Sequence, residues 1–207
     1  MLKIAVIDYG LGNVRSVLNA LEYIGVHGFR TRDPKELGDS DGMILPGVGA
    51  FGEGMRRLSM HQLQEPILTL VSEGRPLLGI CLGFQMLMHS STELGNHNGL
   101  ALIKEQIIRL PVQERLPHIG WARVIPASDT NGTPRLLEGL EGQTFYFVHS
   151  YGLVKPSCSL PSATVLYAGC EITAIIEQEN VFGTQFHPEK SGEAGLQMLR
   201  NFVSRCQ

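Results

Sequence analysis

Three times in the first half of the chain, a short and almost wholly apolar run meets a tight turn and gives way to apolar residues at helical spacing. That repeat constrains the fold more than any other feature. Residues 2–7 end in Asp8-Tyr-Gly-Leu-Gly-Asn13, after which Val14, Val17, Leu18, Leu21 and Ile24 mark one face of a helix that Gly25 can close. A run without polar alternation suits a strand buried on both faces, as in a parallel sheet covered by helices. Residues 43–45 lead through Pro46-Gly-Val-Gly49 into a helix expected over about 53–72. Residues 77–80 lead through Cys81 into a helix near 82–89. Strand followed by helix, repeated, predicts an α/β fold: a mostly parallel open sheet flanked by helices.

From Gly99 onward the texture changes to short β-rich pieces at 100–103, 106–110, 122–125, 144–148, 164–168, 173–176 and 181–186. Several of these are expected to pair antiparallel, which puts antiparallel β structure in the C-terminal half. Residues 194–203, apolar at Leu196, Leu199, Phe202 and Val203, predict a last helix over the sheet. The polar stretch 126–134 is expected to be a surface loop. No linker or internal repeat divides the chain, so residues 1–207 are expected to form a single domain.

Charge and cysteine usage narrow the partners. With 17 Lys and Arg against 20 Asp and Glu, the chain lacks the basic excess of a nucleic-acid binder. Asp8 arrives too early for a secretory apolar segment, and no run of about 18 apolar residues offers a membrane span. A cytoplasmic protein without membrane or nucleic-acid partners is expected. The cysteines at 81, 158, 170 and 206 show no CxxC spacing, and His89, Glu93 and His97 lack the H-E-x-x-H arrangement. Neither a metal nor a cofactor is expected.

The chemistry centres on one thiol. Cys81 lies between Gly79 and Gly83 with the spacing of a nucleophile elbow, a strained strand-to-helix turn that exposes the reactive atom. A thiol at the start of a helix also feels the positive end of the helix dipole, which favours the thiolate. The competing reading is a small apolar side chain packed in a tight turn. A nucleophile needs a base, and His187 follows an apolar strand in Thr184-Gln-Phe-His-Pro-Glu189. Pro188 stops the strand there, and Glu189 can reach the second ring nitrogen and set its tautomer. His149 is the rival base, but no acid adjoins it, so His149, Ser150 and Tyr151 are expected to form pocket wall. Donors for an oxyanion are expected from the Leu82 N–H and from the loop Gly47-Val48-Gly49, whose glycines let the Val48 peptide turn inward. Trp121 suits core or interface, and Cys158, Cys170 and Cys206 are expected bystanders.

Taken together, Gly79-Ile-Cys-Leu-Gly-Phe-Gln85, Phe186-His-Pro-Glu189 and Pro46-Gly-Val-Gly49 resemble the triad-type, class I glutamine amidotransferases. With Asp8-Tyr-Gly-Leu-Gly-Asn13, Pro117-His-Ile-Gly-Trp121 and Tyr146-Phe-Val-His-Ser-Tyr151 added, the likeness narrows to the glutaminase subunits of imidazole glycerol phosphate synthases. The resemblance implies hydrolysis of L-glutamine to glutamate and ammonia, with Cys81 as nucleophile, His187 as base then acid, Glu189 as its orienter and Gln85 in contact with substrate. It also implies a heterodimer in which the ammonia passes to a separate (β/α)8-barrel synthase subunit of histidine biosynthesis. One glutaminase domain is expected to fill the 207 residues and leave the acceptor site to that partner. Where the family commonly carries Met and Asn, this chain has Phe84 and Ala122. Two alternatives would use the same site residues: a paralogue feeding a sugar-amidating synthase of surface polysaccharides, or a stand-alone Cys-His hydrolase.

Overall fold

The computed structural model describes residues 2–128, 131–154, 156 and 159–207. The expected repeat is present and fuller than the apolar runs alone suggest. In chain order come β1 (Lys3–Ile7), α1 (Val14–Tyr23), β2 (His27–Thr31), α2 (Pro34–Gly38), β3 (Gly42–Gly47), α3 (Phe51–Met60), α4 (Gln64–Ser72), β4 (Leu77–Cys81) and α5 (Leu82–Met86). The second half adds β5 (Met88–Ser91), β6 (His97–Asn98), β7 (Ile103–Arg109), β8 (His118–Pro126), β9 (Thr144–His149), β10 (Tyr151–Gly152), β11 (Ser162–Tyr167), β12 (Cys170–Gln178), β13 (Val181–Thr184) and α6 (Gly192–Val203).

Nine strands form one sheet in the order β2-β1-β3-β4-β13-β12-β11-β8-β9. The strands from β2 to β13 run parallel, and from β13 to β9 every pairing is antiparallel. A smaller sheet has the order β10-β7-β5-β6. The period-2 geometry of a strand explains why the parallel half reads as unbroken apolar sequence. In β1, Ile4 and Val6 enter the core shared with α1 and α6, while Ala5 and Ile7 enter the core under α3 and α4. In the antiparallel half, β12 and β13 are still buried on both faces, but β8 near the edge leaves Ile119, Trp121 and Ile125 open to solvent. Trp121 is therefore not a core residue: 57% of it is exposed. Ala122 and Phe84 fit their places, the first partly buried against the core and the second fully buried.

Several expectations need correction. The helix expected over 53–72 is two helices, α3 and α4, separated at Gln62, whose φ is 54°. Pro66 explains the break: in a continuous helix its ring would clash with the carbonyl four residues back, whereas the first turn of a new helix tolerates it. The helix expected to reach 89 stops at Met86, because Met88 pairs with Ile103 in the smaller sheet. The piece expected at 100–103 begins only at Ile103, and the strand expected to reach 186 ends at Thr184. The edge strand β2 carries no apolar run and escaped notice; its residues are mostly exposed or half-buried. Of the loop expected over 126–134, residues 129 and 130 lie outside the described residues, as does Cys158.

Candidate active site

The parallel strands converge on Cys81. β4 is buried throughout and ends at Cys81 with φ 54° and ψ −107°, a conformation that costs a non-glycine residue about 1–3 kcal/mol. The strain sits on the cysteine itself, and the two flanking glycines serve packing. A Cβ on Gly79 would lie 2.7 Å from the Phe84 N, and one on Gly83 would overlap the Leu45 carbonyl oxygen. Both absences let α5 fold back directly onto β3 and β4. With only five residues, α5 contributes a smaller dipole than the longer helix expected from the sequence.

Sheet register delivers the other groups to this point. Gly47 is paired with Cys81 across β3 and β4, so the loop after β3 starts beside the thiol. Thr184 is paired with Ile80 across β13 and β4, so the residues that follow Thr184 arrive on the opposite side. Gly47 and Gly49 differ in role. A Cβ on Gly47 would strike the Tyr9 hydroxyl and come within 2.9 Å of the Leu82 Cβ, so Gly47 is locked by packing. Gly49 has φ 107° with open space around it, and Val48 between them is exposed. The freedom expected of two glycines belongs to one.

His187 is held from its backbone outward. Its N–H donates to the Tyr146 carbonyl (3.0 Å), its own carbonyl accepts from Ser191 Oγ (2.6 Å), and Ser191 Oγ accepts from the Tyr146 N–H (3.0 Å). His187 Nδ1 lies 2.8 Å from Glu189 Oε1, both side chains being 2% exposed. A carboxylate can only accept, so Nδ1 carries the proton and Nε2 is left for the cavity that His187 shares with Cys81. Burial alone would lower the His187 pKa; the Cys81 sulfur and the Glu189 carboxylate override it and raise it to about 10. An imidazolium held beside a sulfur can stabilise the sulfur anion.

The rival histidine is occupied. His149 Nδ1 lies 2.9 Å from the Tyr151 carbonyl oxygen, and its Nε2 lies 3.4 Å from His118 Nδ1. Since the carbonyl can only accept, His149 carries its proton on Nδ1 and receives one from His118 on Nε2. Burial is the main cause that lowers the His149 pKa to about 4. The unfolded value is near 6.5, so the unfolded chain binds the extra proton first. Stability from this residue is complete above about pH 6.5 and is lost as pH falls toward 4, by up to about 3 kcal/mol. Denaturant unfolding at pH 7 and pH 4.5 should show the loss, and His149→Asn should flatten it; equal stability of the wild type at both pH values would contradict this.

A cavity of about 370 Å³ opens over these groups, within the size range of small-ligand sites. Val48, Gly49, Cys81, Leu82 and Gln85 line one side of it. His149, Ser150, Tyr151 and His187 line the other. Gly47 does not line the cavity but pairs with Cys81 beside it, and Glu189 is held to it through His187 Nδ1. Gln85 uses its Nε2 on the Tyr151 carbonyl (2.8 Å) and on Gln185 Oε1 (3.0 Å), which leaves its Oε1 to accept. Glu93, which the sequence offered only beside His89 and His97 without a metal-ligand spacing, instead lines this cavity, and its carboxylate accepts from the Phe51 N–H at 2.7 Å. That contact caps α3, which lacks a side-chain cap of its own. Nothing in the spacing of Glu93 signals the role; only the packing of β6 beside α3, with Glu93 in the turn between β5 and β6, brings it there.

Residues 5–206 match the family Glutamine amidotransferase class-I. A relative from Methanothermobacter thermautotrophicus, "Imidazole glycerol phosphate synthase subunit HisH", is 49% identical over 97% of each chain. A protein of the same description from Geobacter sulfurreducens is 43% identical over 98% of each. Among solved structures, a glutamine amidotransferase crystal structure superposes with a TM-score of 0.78 over 98% of each chain at 17% identity. PurLQS from Thermotoga maritima gives 0.76 over 100% of this chain and 99% of that one at 22% identity. At such identities these two establish the shared fold.

Proposed function

The chain belongs to the class-I glutamine amidotransferases, and from that premise we propose that it is the glutaminase subunit of an imidazole glycerol phosphate synthase in histidine biosynthesis. The observation that carries the chemistry is the strained Cys81 facing one cavity with a His187 that Glu189 holds by Nδ1. The ionised sulfur attacks the carboxamide carbon of L-glutamine, and the oxygen that gains the charge is held by the peptide N–H groups of Leu82 and the 47–49 loop. His187 Nε2–H then protonates the departing nitrogen, ammonia leaves, and a γ-glutamyl thioester remains on Cys81. Water adds to the thioester with His187 as base, and glutamate departs as the sulfur recovers its electron pair. Gln85 Oε1 is free to accept from the substrate, and the Glu93 carboxylate offers a counter-charge for its α-ammonium.

The ammonia passes to a (β/α)8-barrel synthase subunit as the partner in a heterodimer. Ile119 and Trp121, exposed on the uncovered face of β8, support a protein partner on that side, as does the exposed Val48 at the cavity rim. No helix among the described residues is long and apolar enough to cross a membrane. The test is genetic and enzymatic together. Expressed in a histidine-requiring strain that lacks its glutaminase subunit, the chain should restore growth. Mixed with the barrel subunit, it should couple glutamate release to product formation. Failure in the histidine strain, with activity restored by a sugar-amidating synthase, would transfer the chain to the paralogous pathway.

A further inference from the structure

Gln185 has no assigned part in this chemistry, yet it is fully buried against the reacting sulfur. Its position comes from the sheet: it is the first residue after β13, and its backbone N–H donates to the Ala174 carbonyl at 2.9 Å. The orientation of its amide follows from its neighbours by exclusion. The Tyr151 carbonyl can only accept, so the Gln85 atom 2.8 Å from it is the nitrogen. The second hydrogen of that nitrogen points at Gln185 from 3.0 Å, so the Gln185 atom receiving it is the oxygen. The remaining end of the Gln185 amide is then Nε2, and it stands 3.9 Å from Cys81 Sγ.

We propose that Gln185 holds the Cys81 sulfur in its ionised form by donating a side-chain N–H to it, and through Gln85 ties the sulfur to the residue that receives the substrate. The inference rests on the reading of Cys81 as nucleophile. A thiolate in a buried site needs donors, and one is available in His187, whose buried Nε2 has no other partner among the described residues and which shares the cavity with Cys81. Gln185 supplies a second, whose direction does not change when His187 gives up its proton. This matters at thioester hydrolysis, when the sulfur must leave as an anion while His187 is occupied with water. The tie extends further: the Tyr151 carbonyl accepts from both Gln85 and His149, and His149 from His118 on β8.

The test reads the sulfur directly. Alkylation of Cys81 by iodoacetamide, followed on the Cys81-bearing peptide by mass spectrometry across pH, reports the thiolate. In Gln185→Met, of similar volume and without a donor, alkylation at neutral pH should fall by about 10- to 100-fold, the worth of one hydrogen bond to a charged group. The pH of half-maximal alkylation should rise. Gln185→Glu keeps the acceptor that Gln85 uses, so its kcat should fall by a similar factor while KM for glutamine moves less than about threefold. On the wild-type chain, the Gln185 side-chain amide resonance should shift in step with Cys81 ionisation. An amide resonance indifferent to that titration, or a folded Gln185→Met chain alkylated on the wild-type pH profile, overturns the inference. A Cys81→Ala chain that still hydrolyses glutamine would instead overturn the nucleophile reading beneath it.

Discussion

Cys81→Ala should release no ammonia from glutamine, while its complex with the barrel subunit still forms product from free ammonium salts at alkaline pH. The first half of the result follows from covalency: without sulfur no thioester forms, and the strained turn at φ 54° presents nothing to the cavity. The second half follows because only the ammonia source has been removed. Cys81→Ser should behave the same way, since a hydroxyl does not ionise where a thiol does. Folding should survive, because the substitution deletes one atom and the flanking glycines keep α5 seated. The other cysteines provide the control. Cys206 is buried beneath Gly42, and burial first, then the Asp41 charge, pushes its thiol up to about 12, which makes it a poor nucleophile. Cys170 opens β12, where it pairs with Tyr167 of β11, and it does not line the cavity. Substituting Cys170 or Cys206 should leave turnover within a few-fold. An active Cys81→Ala chain with an inactive Cys206 or Cys170 variant would move the chemistry elsewhere.

His187→Asn should lower the rate of thioester formation by about 10²-fold or more, the scale of losing a principal general acid–base group. The other histidine that lines the cavity does not replace it, because both nitrogens of His149 are engaged, by Tyr151 and His118. Glu189→Gln should be milder. The amide oxygen can still accept from Nδ1, but the negative charge that helps raise the His187 pKa is gone. The alkaline limb of the pH–rate profile should therefore shift to lower pH in Glu189→Gln, since the imidazolium that stabilises the sulfur is lost sooner. Single-turnover measurement of glutamate and of thioester, across pH, separates the two variants. His149→Asn slowing thioester formation more than His187→Asn would reverse the assignment.

Much of this site was legible before any coordinates, and the reason is local. Strands buried on both faces must be apolar at every position, so β1, β3 and β4 announce themselves, and the turns after them are where a doubly wound sheet places its ligands. Cys81 between two glycines, and His187 two residues before Glu189, are patterns a few residues long. What escaped was either locally ambiguous or distant. The break between α3 and α4 was written in Pro66, but the apolar period ran straight across it. β2 alternates too weakly to stand out, because an edge strand owes its place to the ladder with β1.

The sequence by itself determined the element types of the parallel half, the elbow at Cys81 and the identity of the His187–Glu189 pair, because each depends on neighbours within a turn or two of chain. Only the tertiary structure decided which glycine of the 46–49 loop is locked and which is free, which histidine keeps an open nitrogen, and that Glu93 and Gln185 belong to the site at all. Those decisions are contacts between residues as many as 104 positions apart, such as Gln185 with Cys81. They are set by the order of strands in the sheet, and strand order leaves no periodic trace in any one segment.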